Sequence, residues 1–407
     1  MTENPSLKRS LSLTHLVFYG LGTTIGAGIY VLVGELAGVA GYLSLISFFV
    51  ASIMAALTAL SFAELSGRFP RAGGSSIYVL EGFGSIKLST LVGLLVITAG
   101  VVSSAALING FVDHLYEFWQ FDRVVSILIV VLILGLIAFW GISESVTIAA
   151  MITVIEIGGL ILVVVVSSDS FSRIGEHWQN YVPSLQWHDW NIIFAGSLLA
   201  FYAFIGFEDM VVVAEEVKNV KRNLPLAIVL TLVITTLLYI LLMLAATLTL
   251  PPEQLARSQV PLAAIYEQNM GSGKLLFGFI GMFAVINGAL IQLIMASRML
   301  YGLSSQKQLP AWLSKVHSYT RTPVWATLFT TALLIVLALS GTVATLAKMT
   351  SLIMLLIFSL VNLALIRVKR KNPRPTGVMI FPVWIPYLAF IVSLSFVLLE
   401  GFHLLQK

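Results

Sequence analysis

The feature that most limits what this chain can fold into is the recurrence of apolar runs of about 20 residues. Val124 to Trp140 with its flanks, Leu226 to Leu250 and Leu352 to Ile366 are the clearest. A helix of that length matches a hydrocarbon core about 30 Å thick. Of the 407 residues, 58% are hydrophobic and only 10% charged, against roughly 25% charged in soluble domains. The chain therefore reads as an all-α polytopic membrane protein.

About eleven spans are expected, near 13–37, 41–66, 87–116, 122–141, 144–168, 191–217, 224–250, 273–302, 323–341, 343–366 and 379–404. They leave no room for a soluble domain, so residues 1–407 form one membrane domain. Placing Met1 inside puts most basic residues in cytoplasmic segments, including Lys8, Arg9, Arg68, Lys218, Lys221, Arg222 and the run Arg367 to Arg374. The outside then holds only Arg123, Arg173, Arg257, Lys274, Lys348 and Lys407. That imbalance fixes the orientation by the positive-inside rule and sends Lys407 to the exterior. "RVKRKNPR" reads as a stop-transfer flank rather than a lipid or nucleic-acid patch. There is no cysteine, so no disulfide-linked subunit and no thiolate metal site are expected. The polar first 15 residues and the long apolar segment after them read as a retained first span, not a cleaved signal peptide.

Within the first span lies "GLGTTIGAGIY", Gly20 to Tyr30. Each glycine costs a helix interior about 1 kcal/mol relative to alanine. A break in lipid is tolerated only where the freed backbone faces protein or a watery cavity. A second interruption falls in span six, "FYAFIGFEDM", with Gly206 followed by Glu208 and Asp209. Paired interruptions five spans apart suggest inverted repeats, about 13–168 and 191–366, with an extra helix near 379–404; such pairs point to a transporter's binding site. N–H groups opening the outer half of span one suit a carboxylate. Carbonyls ending the neighbouring half-helices suit an ammonium group. One gap would then hold both ends of an α-amino acid, and glycine at 26 and 28 would let it approach the main chain. A bulky residue there would fill that space. The other reading of these glycines is close helix packing, for which Gly22 and Gly26 have the spacing.

The blocks "GTTIGAGIYVLVGELAG", "FAELSGRFPRAGGSSIYVLEGFG", "FYAFIGFEDMVVVAEEVKNVKRNLPLAI" and "ASRMLYGLSSQKQLPAWLSKVHSYTRTPVWATL" resemble the amino acid–polyamine–organocation permeases, in the branch of the cationic amino acid transporters. The resemblance covers roughly residues 10 to 400. It implies the LeuT-type fold of five plus five inverted helices, alternating access, and an amino acid or small amine as substrate. It implies that backbone amides of Ile25, Gly26, Ala27 and Gly28 bind the carboxylate. Ala203, Phe204 and Ile205 would offer carbonyls to the amine, and Phe207 would flank the side-chain pocket. "SQVPLAAIYEQ" resembles the short helices capping the outer vestibule. The family commonly has twelve or more spans, so the expected eleven depart from its pattern outside the ten-helix core.

Glu35, Glu64, Asp113, His114, Glu215 and Glu216 lie near span ends, where snorkelling is easy. Glu208 reads first as a buried hydrogen-bond acceptor locking the half-helices, and second as a substrate contact. Glu156, in "MITVIEIGGL", sits mid-span among apolar neighbours, where a charge costs at least about 2.5–3.5 kcal/mol. The resemblance puts it where some relatives carry a lysine that stands in for sodium. A carboxyl there suits a proton-coupling site; binding sodium, pairing with a cationic substrate and a purely structural acid are the alternatives. Side-chain selectivity would come from spans three, six, eight and ten, with Ser103, Ser104, Asn109, Asn287 and Gln292 as candidates.

No metal-ligand spacing, Walker motif or nucleophile elbow is present, "GISES" included. An enzyme, an ATP-driven pump and a cofactor are not expected, and neither is a channel, which lacks a filter-like loop. The expected function is secondary transport of amino acids across the plasma membrane, proton-coupled or exchanging, with the bilayer as the surrounding partner and no nucleic acid. A membrane amino-acid sensor is the alternative.

Overall fold

The computed structural model describes residues 9, 11–26, 28–71, 73–118, 121–140, 142–258, 260–317, 320, 322–341 and 343–405. Met1, Ala27, Gly141 and Lys407 lie outside the described residues, as do the side chains of Asp113, His114 and Lys348.

The interrupted first span is α1 (Leu13–Gly26) followed by α2 (Ile29–Ala40). Then come α3 (Ser44–Arg68), the short α4 (Gly74–Phe83), α5 (Ile86–Phe118), α6 (Arg123–Trp140) and α7 (Ile142–Val166). A short α8 (Ile174–His177) lies in the segment that bends away from α7 by 52°. Span six consists of α9 (Trp187–Tyr202) and a 3-10 helix, Phe207–Glu216. It is followed by α10 (Val220–Thr249), α11 (Pro252–Arg257), α12 (Pro261–Met270) and α13 (Lys274–Ser305). The chain continues through α14 (Val324–Ser340), α15 (Val343–Lys371) and α16 (Trp384–Leu405). Each expected span thus has a helix or helix pair at its position. Among the described residues six helices are long and apolar enough to cross a membrane on their own, seven with the bent pair. Shorter apolar helices at Arg123–Phe139, Val324–Ser340 and Trp384–Leu399 fall below that length.

The packing sorts the helices by side-chain chemistry. On α6, α14 and α16 the outward faces are large and apolar, with Leu136, Val336 and Leu398 more than 60% exposed. Thr23, Ser104, Glu156, Asn287 and Asn362 are fully buried or nearly so. Polar groups inside and aliphatic groups outside suit a lipid solvent, in which only internal partners can satisfy a polar atom. Among its neighbours α1 packs against α7, α10, α13 and the 3-10 half of span six, while α5 runs along α13 and α15. The two interrupted spans are therefore both interior.

At the basic end of the bundle the structure differs from the expectation of snorkelling. Glu64 is fully buried. Its Oε1 accepts from Arg68 at 2.6 and 3.0 Å, and its Oε2 accepts from Lys369 at 2.6 Å and from the Phe381 N–H at 2.9 Å. Lys369 also donates to the Phe381 carbonyl at 2.7 Å. Helix α15 extends through Lys371 and carries part of the "RVKRKNPR" run back into the protein. Glu216 is similarly held by Arg298 at 3.1 Å, whereas Glu35 and Glu215 are exposed.

Candidate functional site

The glycine-rich stretch answers to two demands at once. Both Thr23 and Thr24 donate their hydroxyls to the Gly20 carbonyl at 2.8 Å. Their polar groups are thereby satisfied within α1. The helix then stops, and α2 restarts at Ile29 with no side chain capping it. Leu32 N–H donates to Gly28 O at 2.8 Å, which leaves the N–H groups of Ile29 and Tyr30 without an acceptor on their own helix. Those N–H groups lie at the break between α1 and α2.

Gly26 serves the packing reading as well. A β-carbon there would stand 3.0 Å from the Ala284 carbonyl oxygen, and one on Gly288 would stand 3.0 Å from the Gly26 oxygen. Gly26 and Gly288 are the point at which α1 and α13 meet backbone to backbone. A β-carbon on Gly22 would collide with the Thr153 hydroxyl of α7. Gly28 points elsewhere, toward the side chains of Leu32 and Tyr202. Ile25 is fully buried.

In span six the turn after α9 tightens through bonds from Ala203 N–H to Ala200 O, Phe204 N–H to Phe201 O and Ile205 N–H to Tyr202 O. These bonds do not use the carbonyls of Phe204 and Ile205. Gly206 follows with φ 130°, a conformation open to glycine. Its N–H donates to Glu208 Oε2 at 2.9 Å. Glu208 is thus an acceptor within the break of span six itself. Asp209 accepts from Gln292 of α13 at 2.7 Å.

The two breaks touch. A β-carbon on Gly206 would lie 2.6 Å from the Thr23 carbonyl oxygen. The buried hydroxyl of Tyr239, from α10, reaches both: it lies 3.0 Å from Thr24 O and 3.1 Å from Ala203 O. Sequence reasoning missed Tyr239, since a lone tyrosine in an apolar span carries no local signal. Phe204 packs against Tyr239 and Phe48, and Phe207 enters an aromatic cluster with Phe62 and Phe358.

Glu156 stands beside the first break. It is fully buried, and its Oε1 accepts from Asn287 Nδ2 of α13 at 3.0 Å. Its Oε2 has no hydrogen-bond partner among the described residues. Tyr30 of α2 donates its hydroxyl to the Glu156 carbonyl at 2.6 Å. The carboxyl thus sits where α1, α2, α7 and α13 converge. Of the other selectivity candidates, Ser104 donates to Ala289 O at 2.9 Å and Asn109 to Ala338 O at 2.9 Å. Ser103 lies 3.5 Å from the Tyr202 hydroxyl.

Comparison with known proteins places this architecture. The family model described as amino acid permease matches residues 11–403. The vacuolar cationic amino acid transporter 4 of Arabidopsis thaliana is 31% identical over 388 residues, covering 90% of this chain and 64% of that protein. The branched-chain amino acid permease BcaP of Bacillus subtilis is 27% identical over 393 residues, covering 90% of this chain and 82% of that protein. Cationic amino acid transporter 4 of Homo sapiens is 28% identical, and the chain covers 62% of it. The chain spans 61–64% of the length of the plant relatives it matches. These relatives are named as transporters or permeases, none as an enzyme.

Proposed function

The chain belongs to the amino acid permease family, and from that premise we propose that it carries amino acids across a membrane as a secondary transporter. Its fold is the all-α LeuT type of that family. The observation that carries the reading is the meeting of two helix breaks in the interior, with Gly206 against the Thr23 carbonyl. In this reading the N–H groups opening α2, with Gly28 before them, hold the carboxylate, and Ile25 and Gly26 at the end of α1 border it. The carbonyls of Ala203, Phe204 and Ile205 receive the ammonium group, and Phe207 supports the side-chain end through its aromatic cluster. The reading is favoured because the uncapped start of α2 and the turn of span six belong to two breaks that touch.

The five-plus-five division into residues 13–168 and 191–366 supplies alternating access, with the two interrupted spans rocking against the rest. Glu156 is the coupling residue: a carboxyl with one unpartnered oxygen beside the break can take a proton in one access state and release it in the other. Sodium at the same carboxyl is the competing arrangement. A cytoplasmic N-terminus in a bacterial inner membrane completes the reading.

The test is uptake of labelled amino acids into proteoliposomes, screened across apolar, anionic and cationic side chains. Accumulation or exchange supports transport. Saturable binding without either supports a sensor instead.

A further inference from the structure

The hydroxyl of Tyr239 is the group that joins the two breaks, and it does so through backbone carbonyls 215 and 36 residues away in sequence. We infer that Tyr239 is a positioning residue for the substrate's amino group, holding the Thr24 and Ala203 carbonyls at a fixed separation and orientation. This inference rests on the proposed reading that an ammonium group enters this gap.

The argument is one of counting. A phenol carries one O–H, so two carbonyls at 3.0 and 3.1 Å compete for a single proton. Each carbonyl oxygen has two lone pairs. Even the one that holds the hydroxyl keeps acceptor capacity, and the other is satisfied only in part. An ammonium group brings three donors and no acceptor. It completes carbonyls that Tyr239 has aligned but cannot saturate.

The geometry is held from behind. Tyr239 is fully buried. Its ring lies 5.3 Å from Phe204 and 5.8 Å from Phe48, so neighbours on span six and α3 fix the plane of the phenol. Thr24 lies in the last turn of α1, and Ala203 opens the turn in span six. The residue that bonds both therefore fixes the breaks relative to each other rather than tuning either alone. No charge is placed there: a lysine in the same position would compete with the substrate's ammonium, and phenylalanine would leave two carbonyls without a shared donor.

The experiment compares Tyr239→Phe with wild type in binding an amino acid and the same compound lacking its α-amino group. Wild type is expected to bind the amino acid more tightly than the deaminated acid. Tyr239→Phe is expected to weaken the amino acid about tenfold and to leave the deaminated acid within a factor of about two. Phe48→Leu, which loosens the ring while keeping the hydroxyl, should show the same selectivity loss to a smaller degree. Equal weakening of both ligands, or none, in a variant whose thermal midpoint matches wild type overturns the positioning role. If Tyr239→Phe does not fold, an unchanged amine preference in Phe48→Leu overturns it as well. If wild type shows no preference for the amine, the proposed binding mode itself falls, a result read before any variant is made.

Discussion

Gly206 lies against Thr23 so closely that a β-carbon on the glycine would stand 2.6 Å from the threonine carbonyl oxygen. The same residue has φ 130°. Steric room and backbone conformation thus demand glycine independently, at a place where the two interrupted spans meet. Forcing a side chain into that contact separates the two breaks. Gly206→Ala is expected to cost about 1–3 kcal/mol in backbone strain alone, lowering the thermal midpoint and abolishing uptake. A variant with wild-type midpoint and uptake would show that the breaks need not touch.

Gly26 makes the neighbouring contact, with α13. From sequence, a bulky residue there should block substrate while leaving the protein folded. The structure changes the expectation, because the β-carbon direction meets the Ala284 and Gly288 backbone rather than open space. Gly26→Leu should therefore lower the yield of monodisperse protein as well as binding. At Gly28 the β-carbon direction meets the Leu32 and Tyr202 side chains rather than backbone, so Gly28→Leu should lose binding with less effect on folding. Size-exclusion profiles and ligand-induced thermal shifts separate the two variants.

Glu156 is held by Asn287 on one oxygen only. If it carries the coupling proton, Glu156→Gln should exchange substrate yet fail to concentrate it on a proton gradient. A gradient of about one pH unit stores about 1.4 kcal/mol per proton, enough for about tenfold accumulation at one-to-one coupling. Uptake from about pH 5 to 8, with and without the gradient, measures this. Accumulation by the variant equal to wild type removes Glu156 from the coupling role. Dependence on a sodium gradient in place of a proton gradient would assign the carboxyl to sodium.

Lys369 and Glu64 form a buried ion pair across α15 and α3. Lys369→Met is expected to destabilise by less than the about 3–5 kcal/mol of a wholly stranded buried charge, since Arg68 and the Phe381 N–H stay on Glu64. The double variant Glu64→Gln/Lys369→Met should cost less than the sum of the single variants, because Lys369 is then not left buried without its carboxylate, while Arg68 loses its carboxylate in the single and double Glu64 variants alike. Thermal or denaturant unfolding in detergent reads the cycle. Strict additivity would mean that the pair does not interact in the folded protein.

The distribution of basic residues sets the expected orientation. With Met1 inside and about eleven crossings, a reporter active only in the cytoplasm and fused after Lys407 should stay silent, while the same reporter at Met1 is active. Signal from both ends would mean an even number of crossings, with 323–366 the first segment to recount.

Sequence and structure divide the protein along the range of the forces involved. Apolar length, the distribution of lysine and arginine, and the weak helix propensity at Gly26, Gly28 and Gly206 are local properties. They were enough to read the membrane class, the helix positions, the family resemblance and the two breaks. Glu156 was legible for the same reason, as a carboxyl surrounded by apolar neighbours in its own segment. What only the tertiary structure decided are pairings between distant residues: Tyr239 with Thr24 and Ala203, Asn287 with Glu156, Lys369 with Glu64, and Gly26 with Gly288. Each depends on how one helix is rotated against another, and an apolar span that is hydrophobic on every side gives no periodic signal of that rotation. Packing chooses it, by bringing glycines to backbones and giving each buried polar atom a partner that lipid cannot supply.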